Sequence, residues 1–372
     1  MHRGVQELIR WTESHQDFPG VALNRPAVTA ELNALEQQLG VPLPADLRLV
    51  LSRFNGGMLP NGTMLAAGIG PGTVEAAVRA YAEAVEADFL DPELLLPFFR
   101  TNEGSLLCFD RSAAPISDTW PIVDYFEDTG ETRLVFRTFD GWCRTSVASY
   151  ESPDFLDDFS LDKYLSQGRR HAEMEPDVAT AHATVAHAQK RAGQPEEALR
   201  SYLAAARCVP PLAWCDWEAF KIAALLEREP EAVEAATRLC SRAPTDKWAE
   251  RETTPATVAD VVGYCAVRAD DRSHWVRLLD QLVRECWDDD EKAHVHAVRK
   301  AVVSKMALPP TRAPRDEPVI VAQSDVEAWW SAAKDAYHQG MLRDDDMLLD
   351  PTLAPLRQQR DFRELLRIRR EF

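Results

Sequence analysis

The sequence predicts an α+β domain followed by an all-α region built from helix pairs. Three observations lead there. Between residues 94 and 147 the apolar pattern breaks into short runs rich in aromatic and β-branched side chains, the mark of strands. After Gly168 such runs nearly vanish, and Ala, Leu and Glu dominate, broken by Pro or Gly at the spacing of helix pairs. At 372 residues the chain is long enough for two or three cores.

In the first part a helix is expected from Thr29, with Leu32, Leu35 and Leu39 on one face and Gly40 as its C-cap. Pro44 opens a second helix at the position where a missing N–H costs nothing. Leu47, Val50, Leu51 and Phe54 form its stripe, and Asn55-Gly56-Gly57 stops it. Leu39, Leu43, Leu47 and Phe54 are expected in the core. Residues 73–87 read as a helix. Strands are expected at 94–100, 105–110, 120–127, 132–140 and 142–147, with hairpin turns at Asp128-Thr129-Gly130 and Asp140-Gly141 joining the last three into an antiparallel meander. A helix from Ser152 to Gly168 closes the domain.

Beyond it, 179–210 reads as a helix pair around Gly193-Gln194-Pro195, and 211–244 as a second pair with Pro230 opening its second helix. Further helices fit 255–268, 273–286 and 289–306. The proline-rich, charged stretch 308–318 is the linker candidate. The expected division is therefore 1–168, 169–307, a linker over 308–318 and a helical segment over 319–372.

Charge and cysteine content exclude several function classes. The formal charge of −18 disfavours binding to nucleic acid or an anionic membrane. It is also uneven: residues 1–168 carry 12 Lys+Arg against 25 Asp+Glu, and the remainder carries 30 against 35. The seven cysteines are widely spaced with no C-x-x-C pair, as in reduced thiols of a cytoplasmic protein. No apolar run suits a signal peptide or a membrane span.

Candidate chemistry is sparse. The stretch "GIGPG" at 68–72 contains Pro71 and no following Lys-Ser/Thr, so it reads as a loop and not a phosphate cradle. Glu291, His294 and His296 have one E-x-x-H spacing without the second copy that a carboxylate-bridged metal centre needs. His182 and His187, five apart, share no helical face. Asp344-Asp345-Asp346 lacks the alternation of a calcium loop and reads as an acidic helix start. Cys108 lies inside an apolar strand, as an inert thiol does. No catalytic motif, metal site or cofactor is expected, and the chain reads as a binding protein and not an enzyme.

The order of motifs in the first part resembles the SUKH superfamily, the Smi/Knr-type fold. A helix with Glu36 and Leu39-Gly40 leads into "VPLPADLRLVLSRFNGG"; "LLLPFF" (94–99), "NEGSLLCFD" (102–110), Val123, the hairpin 131–139 and Phe155/Phe159 follow in the family's order. The resemblance covers roughly residues 25–168, with "TFDGWCRTSV" standing out as an added or extended strand. It implies an antiparallel or mixed sheet with flanking helices. It also implies a toxin-immunity protein that binds and neutralises a polymorphic toxin, often a nuclease and basic where it grips its substrate. The contact carboxylates would then lie on sheet-edge segments: Glu103, Asp110, Asp118, Asp124, Glu127, Asp128 and Asp140. The later helices resemble tetratricopeptide-type repeats at Ala198, Tyr202, Ala205 and Pro210, which implies the alternative of a regulatory scaffold recruiting partners through that region. On either reading the partner is a protein, and neither nucleic acid nor membrane.

Overall fold

The structure, a computed structural model, describes residues 2–68, 72–76, 94–113, 119–126, 132–242, 254–311 and 318–371. The chain divides into two compact units: Met1–Asp158 with Ser166–Ala181, and Phe159–Leu165 with His182–Phe372. Among the described residues no helix is long and apolar enough to cross a membrane.

The first unit is organised around a bend between two helices, α2 (Thr29–Leu39) and α3 (Ala45–Arg53). The Glu31 carboxylate accepts the Val28 N–H at 2.9 Å and so secures the first turn of α2. Gly40 ends that helix at φ 68°, a left-handed conformation that glycine adopts without Cβ strain. Glu36 then holds the proline-marked turn: one carboxylate oxygen accepts the Leu43 N–H at 3.0 Å, and the other meets Arg48 at 2.8 Å. Leu43, Leu47 and Phe54 are buried in one core, with Leu39 half-buried against it.

Asn55 ties the end of α3 to the sheet. Its buried side-chain amide donates to the Ala67 carbonyl at 2.8 Å and accepts the Ala67 N–H at 2.7 Å. Its own backbone N–H donates to the Arg25 carbonyl, and its carbonyl accepts from the Asn24 amide. Gly56 follows at φ 68°, where a Cβ would meet the Met64 carbonyl oxygen at 2.5 Å.

Seven described strands form one antiparallel sheet in chain order. They are β1 (Ala22–Leu23), β2 (Gly57–Leu59), β3 (Gly62–Met64), β4 (Leu95–Thr101), β5 (Leu106–Asp110), β6 (Ile122–Tyr125) and β7 (Thr132–Phe136). The register of β4 against β5 shifts between Pro97 and Phe99, where proline supplies no ladder donor. Two successive phenylalanines, Phe98 and Phe99, are fully buried there and both pack against Trp142, at 5.1 and 5.2 Å between ring centroids.

The expected strand 142–147 is helical. Residues Phe139–Tyr150 form α4, capped by Thr138, whose hydroxyl oxygen accepts the Gly141 N–H at 3.0 Å. Its buried residues Phe139, Trp142, Cys143, Ser146, Val147 and Tyr150 recur at helical spacing. Asp140-Gly141 is thus the first turn of a helix and not a hairpin. The closing helix also starts later than expected. Residues 152–160 are turns and extended chain, and α5 runs Leu161–Met174, straight through Gly168. Phe155 packs on the first core while Phe159 is exposed. Of the expected helix 73–87, only 73–76 are described, with a helical turn at 74–76; Asp128-Thr129-Gly130 lies outside the described residues.

Among the described residues the second unit consists of helices and their connections. Its pairs are α6 (Ala179–Arg191) with α7 (Pro195–Arg207), and α8 (Trp214–Leu225) with α9 (Glu229–Ser241). Then come α10 (Pro255–Ala266), α11 (Ser273–Glu285) and α12 (Asp289–Ser304). Neighbours in this series pack on one another, α7 on α8, α8 on α9, and α10 on both α11 and α12. Gly193 makes the α6–α7 turn at φ 72°. After residues 312–317, which lie outside the described ones, α13 (Val326–His338) and α14 (Asp344–Leu349) follow.

Replacing Asn55 by Ala leaves both Ala67 backbone groups buried without their partner. Asn55→Ala should lower unfolding free energy by about 2–5 kcal/mol, read from urea denaturation followed by near-UV circular dichroism. A loss below about 0.5 kcal/mol would mean that the bend is held elsewhere.

Candidate functional site

The seven carboxylates singled out from the sequence meet three different fates. Asp118, Glu127 and Asp128 lie outside the described residues. Glu103 sits at the tip of the β4–β5 turn, which closes through Thr101 N–H to Ser105 O at 2.9 Å and Gly104 N–H to Thr101 O at 3.1 Å. It is exposed. Asp110 ends β5 at the opposite end of that strand, where Ser112 donates to its carboxylate through both its N–H (3.0 Å) and its hydroxyl (2.5 Å). Asp124 stands on β6 directly opposite Leu107 and, across the other edge, Arg133.

Side chains alternate along a strand, so Asp124 shares a face with the core residue Ile122. It is half-buried, and burial pushes its carboxyl above the usual range. A hydrogen bond from Ser105 and the Arg133 guanidinium oppose that shift, while the charge of Glu103 adds to it. Glu103 and Asp124 are therefore electrostatic neighbours, and Asp110 lies three residues along β5 from the Leu107–Asp124 pair, about 10 Å away. The described members do not form a single patch.

Asp140 serves the fold. It lies in the first turn of α4, and its Oδ1 accepts the Gly4 and Val5 N–H groups at 2.5 and 3.3 Å. These are orphan donors at the start of α1 (Arg3–Ser14), and a carboxylate there also complements the helix dipole.

Sequence reasoning missed a second acidic stretch. Residues 151–158 expose Glu151, Asp157 and Asp158 around Leu156, which is itself 60% exposed. Asp154 is the exception: it accepts from the Ser152 hydroxyl and pairs with Arg170 at 3.7 Å, and the Ser152 hydrogen bond holds its carboxyl below the usual range. The available signal was Ser152-Pro153-Asp154, which is turn chemistry.

In the helical unit the acidic run 344–346 begins α14 and neutralises buried lysines. Lys190 of α6 reaches Glu218 of α8 at 3.0 Å and Asp344 at 2.5 Å. Lys221 reaches Glu218 at 2.8 Å and Asp345 at 2.7 Å. Burial opposes the charge on Lys190, but Asp344 and Glu218 override it and hold the ammonium well above its ordinary value. The same balance, with the lysines as partners, keeps Glu218 ionised far into acid. This network fastens α14 to α6 and α8. It is a structural lock.

His294 Nε2 donates to the Asp260 carboxylate at 2.7 Å, which joins α12 to α10. Among the described residues no cluster of three His, Cys, Asp or Glu side chains could hold a metal ion. Burial raises the Cys108 and Cys143 thiols, which disfavours nucleophilic thiolate.

Residues 26–145 match the SMI1 / KNR4 family (SUKH-1), so the first unit carries a SUKH-1 domain. The matched segment starts before α2 and ends inside α4. The comparison with curated proteins finds no match.

Two outcomes are expected of the charges described. Lys221→Met strands Glu218 and Asp345 beside one fewer cation, and should lower the stability of the helical unit by about 3–5 kcal/mol in urea titration. A change under about 1 kcal/mol would place that lysine in water. Asp124 has a folded-state pKa above its unfolded value, so its contribution to stability is present in acid and is lost as pH rises through the folded value. Asp124→Asn should therefore be more stable than the parent at neutral pH and flatten the pH profile above about 4. A variant less stable at neutral pH would show that the ionised carboxylate is a net asset.

Proposed function

We propose that the protein is a non-enzymatic immunity protein, which binds a polymorphic toxin and neutralises it by occupying the toxin's working surface. The reading rests on one observation, a SUKH-1 domain at 26–145 within a segment whose charge balance over 1–168 is −13. The family is one of immunity proteins, and such proteins act by stoichiometric occlusion. A toxin that handles nucleic acid is basic where it does so, and an acidic domain meets that surface with favourable steering. Glu103 at the β4–β5 turn and Asp110 at the far end of β5 are the described members of the predicted contact set that remain accessible to such a partner. Asp140 leaves the set, being committed to α1. On this reading the protein works in the cytoplasm, on a protein partner, without metal or cofactor.

A second reading is favoured by the helical unit. Its stacked pairs resemble tetratricopeptide-type repeats, and they leave a recess of about 320 Å³ beside Ala223, Ala224 and Ala232, with Tyr264, Arg268 and Trp275 at its sides. Such a surface suits a scaffold that recruits a peptide.

The test is to titrate the purified chain into the product of an adjacent toxin-like gene, at low and high salt. One-to-one inhibition is expected, with association slowed by about tenfold or more in the double variant Glu103→Lys, Asp110→Lys, and with weaker salt dependence. Binding that ignores both salt and charge reversal, or no binding, would transfer the function to the helical unit.

A further inference from the structure

In the second unit, residues 367–371 lie as a strap across helices far from them in sequence. Each arginine of the strap has its own partner. Arg367 meets Glu196 of α7 at 2.5 and 3.1 Å. Arg369 meets Asp162, which belongs to the same unit, through paired bonds of 2.9 and 3.0 Å. Arg370 places its guanidinium 4.2 Å from the centre of the Tyr337 ring on α13, a cation–π contact. The strap backbone is engaged as well. Arg370 N–H donates to the Arg191 carbonyl at 2.8 Å, the Arg191 side chain donates to the Glu371 carbonyl, and His338 Nδ1 donates to the Arg369 carbonyl at 3.0 Å. Gly193 makes room for this backbone, because an added Cβ would collide with the Arg367 carbonyl oxygen.

The strap is held lightly by comparison with the chain just before it. Phe362, Leu365 and Leu366 are buried, and the Phe362 ring lies 5.5 Å from Trp330. From Arg367 to Glu371 every residue is exposed or half-buried. The Arg369–Asp162 pair stands at the surface, with side chains 44% and 74% exposed. Ion pairs so placed add little stability and are screened by salt. An open gap of about 320 Å³ also remains beside the strap, lined by Leu226, Arg228, Arg363 and Arg367 among others. A segment with few buried apolar contacts opens at low free energy while the helices beneath it stay folded.

We infer that the surface formed by Asp162, Glu196, Tyr337 and the Arg191 carbonyl is a recognition site for an arginine-rich segment of a partner protein, which residues 367–371 occupy in cis as a releasable strap. The strap itself shows what the surface accepts: arginines at i, i+2 and i+3, read by two carboxylates and one aromatic face. Carboxylates suit the forked guanidinium, and the aromatic ring suits its flat face, so lysine is a poorer occupant. Release leaves Asp162 and Glu196 without these cations and frees the backbone positions that the strap held. A tethered strap acts at an effective concentration of the order of millimolar, so it excludes weak competitors and yields to a segment that binds more tightly. The inference concerns the helical unit alone and does not depend on the toxin contact proposed for the first unit.

The experiment has two arms, both on the full chain. Hydrogen–deuterium exchange of residues 367–371 should be about tenfold or more faster in about 1 M NaCl than in about 0.1 M, while α7 and α8 exchange as before. The second arm uses Arg367→Glu with Arg369→Glu, which turns the strap against Glu196 and Asp162, and a fluorescein-labelled peptide with the sequence of residues 367–371. Fluorescence anisotropy should show the variant binding this peptide about tenfold or more tightly than the parent, whose own strap competes. Adding Glu196→Lys to the variant should abolish that binding. A strap that exchanges as slowly as α7 at both salt concentrations would overturn the proposal. So would equal peptide binding, or none, by parent and variant, or binding indifferent to Glu196→Lys. A double variant that loses its circular dichroism signal would also overturn it, since the strap would then be a fixed part of the fold.

Discussion

The first unit depends on the buried side-chain amide of Asn55. A helix that ends beneath a sheet leaves backbone groups which water cannot reach, and each such group destabilises the fold unless it is paired. Asn55 supplies one donor and one acceptor to the backbone of Ala67, while its own backbone bonds to Arg25 and Asn24. Three pieces of chain, the approach to α2, the end of α3 and the segment after β3, therefore meet at one residue. Aspartate could not donate, and at the next residue, Gly56, an added Cβ would come within 2.5 Å of the Met64 carbonyl oxygen. The sheet that carries Glu103, Asp110 and Asp124 is positioned from this junction.

Much of that arrangement is legible in the sequence, because local signals and burial agree there. The α2 stripe, Gly40, Pro44 and the Asn-Gly-Gly stop each specify a backbone conformation, and the structure follows them. The helices at 255–266, 273–285 and 289–304 lie close to where their periodicity puts them. The segment 142–147 misleads because its aromatic and β-branched content resembles a strand, and Asp140-Gly141 resembles a hairpin turn. The deciding feature is the spacing of Phe139, Trp142, Cys143, Ser146, Val147 and Tyr150, which is helical. Composition is a weaker guide than period where the two disagree.

The candidate surface is less legible, for a different reason. A carboxylate in a sequence carries no mark of whether it faces solvent, the core or a helix end. Asp124 and Asp140 look like their neighbours in composition, yet one is half-buried beside Ile122 and the other caps α1. The Lys190, Glu218, Lys221, Asp344 and Asp345 network is equally hidden, since its members are up to 155 positions apart and only the fold brings them together. Its carboxylates and lysines neutralise one another, which withdraws them from any partner. The helical unit therefore contributes fewer available charges than its composition suggests.

The proposed partner contact lies on the first unit, at the turn and strand ends of β4 to β6. Hydrogen–deuterium exchange of the full chain with and without the product of an adjacent toxin-like gene measures this directly. Protection concentrated in residues 101–113 and 119–126, with the helical unit unchanged, is the predicted result. Protection confined to residues 182–304, with the strand ends exchanging as in the free protein, would contradict it.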